Sequence, residues 1–185
     1  MKASALAIPE VLLLAPQVHA DERGFFLESF NQATFFRATG INLVFSQDNH
    51  SRASQGVLTG LHYQIRQPQG KLVSVVCGAV FTVAVDLRRS SVTFAKWVGA
   101  ELTEDNHHQL WIPPGFAHGF LALSASVDVH YKATDYYAPQ FERCIAWDDP
   151  TLAIYWPLKD GWPQMSAKDR AGIRLADAEV FADLS

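Results

Sequence analysis

Residues Ala79-Val80-Phe81-Thr82-Val83-Ala84-Val85-Asp86-Leu87 are apolar at every odd position, while the even positions include Thr82 and Asp86. Successive side chains leave a strand on opposite sides, so a two-residue period marks a β-strand with one strongly apolar face. Similar short runs occur at 25–30, 44–48, 57–64, 71–76, 96–102, 109–113, 119–123 and 127–133, separated by Gly, Pro, Ser or Asn. Many short strands without intervening helical patterns predict an all-β sandwich or barrel rather than a parallel α/β sheet. Helix is minor: 32–38, with Phe35 and Phe36 turned inward, and a C-terminal piece at 177–184.

The 185 residues show no shift of composition along the chain, which predicts one domain over 1–185. With 49% apolar and 18% charged residues, the chain has the make-up of a folded globule rather than of a disordered segment. The net charge of −4 and the lack of any basic run argue against nucleic-acid and membrane-surface partners, so an anionic ligand must be held by locally placed cations. Cys77 and Cys144 have no metal-ligand spacing and read as buried free thiols in a reducing compartment. Val11 to Ala15 followed by Val18-His19-Ala20 imitates a secretory signal, but Pro9 and Glu10 cut its apolar core below the roughly 7–15 residues such a signal needs. No run approaches the ~20 apolar residues of a membrane span, and the expected location is the cytoplasm.

Two neighbouring segments carry chemistry. Gly60-Leu61-His62-Tyr63-Gln64 supplies an imidazole, and Pro68-Gln69-Gly70-Lys71 supplies an ammonium. Removing a proton beside a ketone needs a base to take it and a cation to stabilise the resulting oxyanion. Downstream come His118, Tyr131, the pair Tyr136-Tyr137, and Ser166-Ala167-Lys168-Asp169. A lone histidine on an alternating strand is by default structural. The functional reading gains weight from Lys71, His118 and Tyr131 when other strands project them into the same interior.

Metal-binding cupins, small jelly-roll barrels, carry two histidine motifs that this chain matches in part. His62, Gln64, Lys71 and Gly78 stand at the positions of the first motif, and Pro113, Gly115 and His118 at those of the second, with Ala122 where its asparagine usually stands. Two ligand positions are lost, and a lysine occupies the acidic one. Its ammonium would repel a divalent ion in a small pocket but suits an anion or an enolate. No metal and no cofactor are expected.

Over nearly its whole length the chain resembles the dTDP-4-dehydrorhamnose 3,5-epimerase family. The blocks that carry the resemblance are Asp21-Glu22-Arg23-Gly24-Phe25-Phe26, Gln47-Asp48-Asn49-His50-Ser51, Gly60-Leu61-His62-Tyr63-Gln64, Pro68-Gln69-Gly70-Lys71, Gly115-Phe116-Ala117-His118-Gly119, Asp135-Tyr136-Tyr137-Ala138-Pro139 and Trp147-Asp148-Asp149-Pro150. The resemblance implies a metal-free cupin jelly roll, a homodimer, and epimerisation of a 4-keto-6-deoxyhexose on a nucleoside diphosphate, in rhamnose synthesis for surface polysaccharide. It implies His62 as general base backed by Asp169, Lys71 on the enolate oxygen with help from His118, and Tyr131 as proton donor on the opposite face. It further implies Arg23 on the pyrophosphate and Glu28 on the base, with Gln47 and Asn49 nearby. Phe26 and Tyr137 are stacking surfaces in this reading, and Glu142 and Lys168 are further substrate contacts. Tyr136 and Tyr137 adjoin, so only one of them can line the pocket.

Two positions depart from the family pattern. Thr59 stands where an arginine usually precedes Gly-Leu-His, and Thr82 stands where an aspartate is expected. If those two residues form an ion pair in relatives, losing both leaves no buried charge unpaired. The alternatives to a 3,5-epimerase are a C3-only or C5-only epimerase, an enzyme acting on another nucleotide sugar, a non-catalytic sugar-binding cupin, and a metal-dependent dioxygenase.

Overall fold

The computed structural model describes residues 1–159 and 161–182. Its strands are β1 (Lys2–Ala5), β2 (Leu12–Ala15), β3 (Val18–Asp21), β4 (Gly24–Leu27), β5 (Gln47–Ser54), β6 (Leu58–Gln64), β7 (Lys71–Cys77), β8 (Ala79–Asp86), β9 (Trp97–Thr103), β10 (Gln109–Ile112), β11 (Phe116–Ala122), β12 (Ser126–Ala133) and β13 (Glu142–Cys144). The helices are α1 (Gln32–Thr39) and the single turn α2 (Ala167–Arg170). The strands form a six-stranded sheet in the order β1-β2-β10-β7-β12-β5, a five-stranded sheet in the order β13-β6-β11-β8-β9, and a separate hairpin β3-β4. Pairing between these strands is antiparallel, and the architecture is the expected cupin-like β-sandwich.

The alternation read from the sequence sorts side chains into layers. Val73 and Val75 from β7, Leu110 and Ile112 from β10, and Val127 and Val129 from β12 meet Val80, Ala84, Val98, Leu102 and Phe120 of the other sheet in the central core. The opposite face of the five-stranded sheet, with Leu58, Leu61, Val83, Val85 and Leu121, is covered by Leu152, Trp156, Met165, Leu175 and Phe181 from the C-terminal third. This sheet is therefore buried on both sides, and every residue of β11 is buried. Each fully buried aliphatic or aromatic side chain contributes about 1.5–3 kcal/mol.

Gly60 interrupts this alternation. Leu58 and Leu61 both pack into the outer cluster, whereas Thr59 and His62 both line the interior cavity. The inward residues are thus three apart rather than two, matching the register shift between His118 and Phe120 on the paired strand. Gly60 has φ +105°, and a Cβ there would lie 2.5 Å from the His118 carbonyl oxygen, so only glycine fits.

Helix α1 begins where Asn31 accepts a hydrogen bond from the Thr34 N–H and ends at Gly40 in the left-handed region. Phe35 packs with Trp111 and Leu72, as expected, but Phe36 points outward and is 49% exposed. Of the helix expected at 177–184, only Asp177 is helical, as the end of a 3-10 turn at Leu175–Asp177; 178–182 are not, and positions 183 and 184 lie outside the described residues. The Phe181 N–H instead donates to the Leu87 carbonyl and its own carbonyl accepts from Arg89, so backbone groups that a helix would use are spent on the segment after β8. Both cysteines are partly exposed rather than buried. Among the described residues no helix is long and apolar enough to cross a membrane.

Candidate active site

His62 and Lys71 are near neighbours in the chain, yet β6 and β7 belong to different sheets. The link at 65–70 crosses the sandwich, so the imidazole and the ammonium approach one cavity from opposite walls. Tyr131 joins Lys71 on the six-stranded side, where Tyr131 pairs with Val73 and Lys71 with Ala133 in the β12–β7 ladder. The Lys71 Nζ lies 6.0 Å from the Tyr131 ring centre. His118 joins His62 on the five-stranded side, directly opposite it in the β11–β6 pairing. Thr59, His62, Lys71 and Tyr131 line both an outer groove of about 390 Å³ and an inner chamber of about 180 Å³, and so mark the passage between them. A further concavity beside Leu158 and Trp162 contains none of these groups.

Asp169 sits behind His62. Its Oδ1 lies 2.6 Å from His62 Nε2, an ion-pair distance, although the approach is off the N–H axis and does not make a well-aligned hydrogen bond. The local sequence holds the carboxylate still. Ser166 caps α2 through the Asp169 N–H, its hydroxyl donates to Oδ2 at 2.6 Å, and the Gly60 N–H donates to Oδ1 at 3.2 Å. Burial pushes the Asp169 carboxyl up, but His62, Ser166 and Gly60 outweigh it and hold the pKa at about 2. A carboxylate fixed at Nε2 leaves Nδ1 as the working nitrogen of His62.

The Lys71 ammonium has no hydrogen-bond or ion-pair partner among the described residues, its Nζ lying only against the Tyr131 ring. Although the residue keeps some exposed surface, the ammonium lies between the cavity walls. Its burial lowers the pKa to about 8, with Lys168 adding to the effect and Glu142 opposing it. An unpaired cation of this kind suits an oxyanion that forms only during reaction. His118 is 8% exposed with Nε2 2.9 Å from the Thr82 hydroxyl. Burial, then Lys71 and His62, hold its pKa well below the ordinary histidine value, so it is a neutral group. Burial and Glu142 raise the Tyr131 pKa, so its phenol keeps the proton a donor needs.

The outer groove also contains Gln47, Asn49, Tyr137, Glu142 and Lys168. Gln47 donates to the Asn49 side chain and accepts from the Tyr137 N–H. The Tyr137 hydroxyl donates to Glu142 at 2.6 Å, and Lys168 pairs with Glu142. Tyr136 points to solvent, so Tyr137 alone of the pair reaches the groove. Arg23, Phe26 and Glu28, expected at the pyrophosphate and the base, do not line this groove. Arg23 and Phe26 lie on the β3–β4 hairpin, where Arg23 pairs with Asp21 and Phe26 is 71% exposed. Glu28 bonds Asn31 and Thr34 at the start of α1.

Sequence reasoning missed Cys144, which pairs with His62 across β13–β6. It also missed the hydroxyl supports at Ser166 and Thr82. Ser166 carried a local signal, a serine three residues before an acid at a helix start. The other two contacts are made between strands distant in sequence and had no such signal.

The sequence profile described as dTDP-4-dehydrorhamnose 3,5-epimerase matches residues 5–177. The dTDP-4-dehydrorhamnose 3,5-epimerase of Pseudomonas aeruginosa is 58% identical over 181 residues, covering 98% of this chain and 99% of that protein. The crystal structure of a dTDP-6-deoxy-D-glucose-3,5-epimerase from Legionella pneumophila, in complex with dTDP-4-keto-L-rhamnose, superposes with a TM-score of 0.96 at 48% identity over 100% of this chain and 99% of that one. A 3'-monoepimerase from Streptomyces bikiniensis, bound to dTDP-quinovose, superposes with a TM-score of 0.87 at 31% identity over 95% of this chain and 88% of that one. With the paired carboxylate and histidine, the free lysine and the protonated tyrosine around one cavity, these likenesses make this chain a member of the dTDP-4-dehydrorhamnose 3,5-epimerase family.

Proposed function

We propose that the protein is an isomerase that epimerises C3 and C5 of dTDP-4-dehydro-6-deoxy-D-glucose to give dTDP-4-dehydro-L-rhamnose. One observation carries the mechanism: the base and the proton donor come from opposite sheets. His62, on the five-stranded sheet, takes a proton from the carbon beside the C4 ketone, and Asp169 stabilises the imidazolium that forms. Lys71 binds the enolate oxygen, with neutral His118 beside it. Tyr131, on the six-stranded sheet, returns a proton to the other face. Return from the same face would give exchange without inversion.

The substrate is a dTDP-linked 4-keto-6-deoxyhexose, and the reaction uses no cofactor or metal. Lys168, Glu142, Gln47 and Asn49 contact it in the outer groove, and Tyr137 stacks on the base. Arg23, Phe26 and Glu28 complete the nucleotide site in a homodimer in which the hairpin of one copy reaches the groove of the other. Phe25 at 61% and Phe26 at 71% exposure support that reading, since a hairpin without a partner leaves both in water. The whole chain acts as one catalytic domain in the cytoplasm.

A single-centre epimerase is the second reading. It is favoured by Thr59 at the passage between the two compartments and by the likeness to the 3'-monoepimerase. Incubation with dTDP-4-keto-6-deoxyglucose in D2O, without added metal, separates the two by proton NMR. Deuterium at C3 and C5 supports the 3,5-epimerase; deuterium at one carbon supports the second reading, and deuterium at neither rejects both.

A further inference from the structure

We propose that a thiophilic divalent cation, of the zinc or cadmium class, binds between His62, Cys144 and Asp169 and shuts the enzyme off. Cys144 on β13 is the cross-strand partner of His62 on β6, and such pairs project to the same face of a sheet. The His62 nitrogen, the Cys144 sulfur and an Asp169 oxygen all lie within 4.8 Å of one another. Imidazole, thiolate and carboxylate are the zinc donor set, and each bonds the ion at about 2.0–2.3 Å, so only a small closure of the sulfur and a small opening of the histidine–aspartate contact are needed.

Two further observations point to a ligand there. His62 Nε2 is buried, yet no aligned hydrogen bond satisfies it. Among the described residues the Cys144 thiol makes only one long hydrogen bond, donating to the carbonyl of Ile145 at 3.6 Å. The outer edge of β13 is bridged by Ile173, whose N–H donates to the Cys144 carbonyl, so access to the sulfur rests on the partial exposure of Cys144 itself. Lys168, the ammonium on α2, is occupied by Glu142. On binding, the thiol proton leaves to solvent, a sulfur–metal bond forms, and the ion takes the position at Nε2 that Asp169 uses to support the base. The site shares only His62 with the metal-binding cupin motif. Lys71, whose ammonium opposes an ion at that motif, enters the cavity from the other sheet, whereas Asp169 and the Cys144 thiolate add two anionic donors beside His62 that offset its repulsion. The ion inhibits rather than catalyses.

The inference rests on the proposed roles of His62 and Asp169, and the test keeps binding separate from activity. Cadmium chloride titrated into the intact protein is expected to produce a sulfur-to-cadmium charge-transfer band and a parallel loss of epimerisation, both reversed by EDTA. Magnesium, a hard ion that prefers oxygen ligands, should do neither. Cys144→Ser and Cys144→Ala should lose the band, keep their basal rate, and need about 10–100-fold more cadmium for inhibition, while Cys77→Ser behaves as the unaltered protein. Equal inhibition of the unaltered and Cys144 proteins, or a band that survives in Cys144→Ala, would overturn the proposal. If the protein showed no epimerase activity, the band and its loss in Cys144→Ala and Asp169→Asn would still decide whether the site exists.

Discussion

His62 and His118 stand opposite each other on paired strands, but different groups support them: the Asp169 carboxylate lies 2.6 Å from His62, and the Thr82 hydroxyl lies 2.9 Å from His118. A carboxylate stabilises an imidazolium, whereas a hydroxyl serves a neutral ring equally well. In the proposed mechanism the two histidines therefore do different work, one taking a proton and the other remaining neutral beside the forming oxyanion.

His62→Ala should cost about 100-fold to 10,000-fold in solvent exchange at both carbons, the usual worth of a general base, while affinity for dTDP stays nearly unchanged. Deuterium incorporation by NMR and dTDP titration by calorimetry check the two halves separately. An exchange rate that survives removes His62 from the role.

Tyr131→Phe keeps the ring and removes only the phenolic proton. Inversion should collapse, with exchange surviving at one carbon or more, because His62 can still return deuterium to the face it came from. Undiminished inversion in the product spectrum would assign the donor elsewhere.

Lys71 should give activity and stability opposite responses to pH. With its pKa lowered from 10.5 to about 8, the ammonium is present below pH 8 and lost above it. The rate term kcat/KM should therefore fall as pH rises through about 8, and Lys71→Met should remove that limb together with most of the activity. For folding the sign reverses. The folded state releases this proton more readily than the unfolded chain, so the residue's contribution to stability rises between pH 8 and 10.5. Rate profiles and urea midpoints across that range test both directions.

Asp169 is the acid-side counterpart. Its pKa, lowered from 3.8 to about 2, contributes roughly 2 kcal/mol that is fully present above pH 4 and lost as pH falls through 2. Asp169→Asn should be destabilised by about that amount at neutral pH and should converge with the unaltered protein in strong acid. A gap between their denaturation midpoints that does not change with pH would assign the loss to packing instead.

Thr59 and Thr82 flank Phe120 on its two paired strands. Thr82 is fully buried, and Thr82→Asp alone places a carboxylate against His118, which costs stability unless the imidazole takes a proton. Thr59→Arg should offset part of that loss in the double variant. Strictly additive effects on unfolding free energy would reject the coupling.

The all-β class, most strands and the helix at 32–38 were legible in the sequence because they depend on local pattern, such as the alternation in β8, and the Gly-Leu-His and Gly-Lys blocks supplied the residue types that the proposed mechanism uses. Register and neighbours were not, because they depend on groups far apart in the chain. Alternation alone puts Thr59 and His62 on opposite faces; the bulge at Gly60, forced by the approach of the His118 carbonyl, turns both into the cavity. The helix expected at 177–184 does not form over 178–182 because Leu87 and Arg89 claim the backbone of Phe181. Arg23 and Phe26 read as pocket residues, yet their hairpin pairs only with itself and carries them away from the groove of their own chain. The sequence by itself determined which chemical groups the protein has and the period that makes its strands. Only the tertiary structure decided which groups meet, because strand pairing and the crossing of two sheets bring His62, Lys71, Tyr131 and Asp169 together from across the chain.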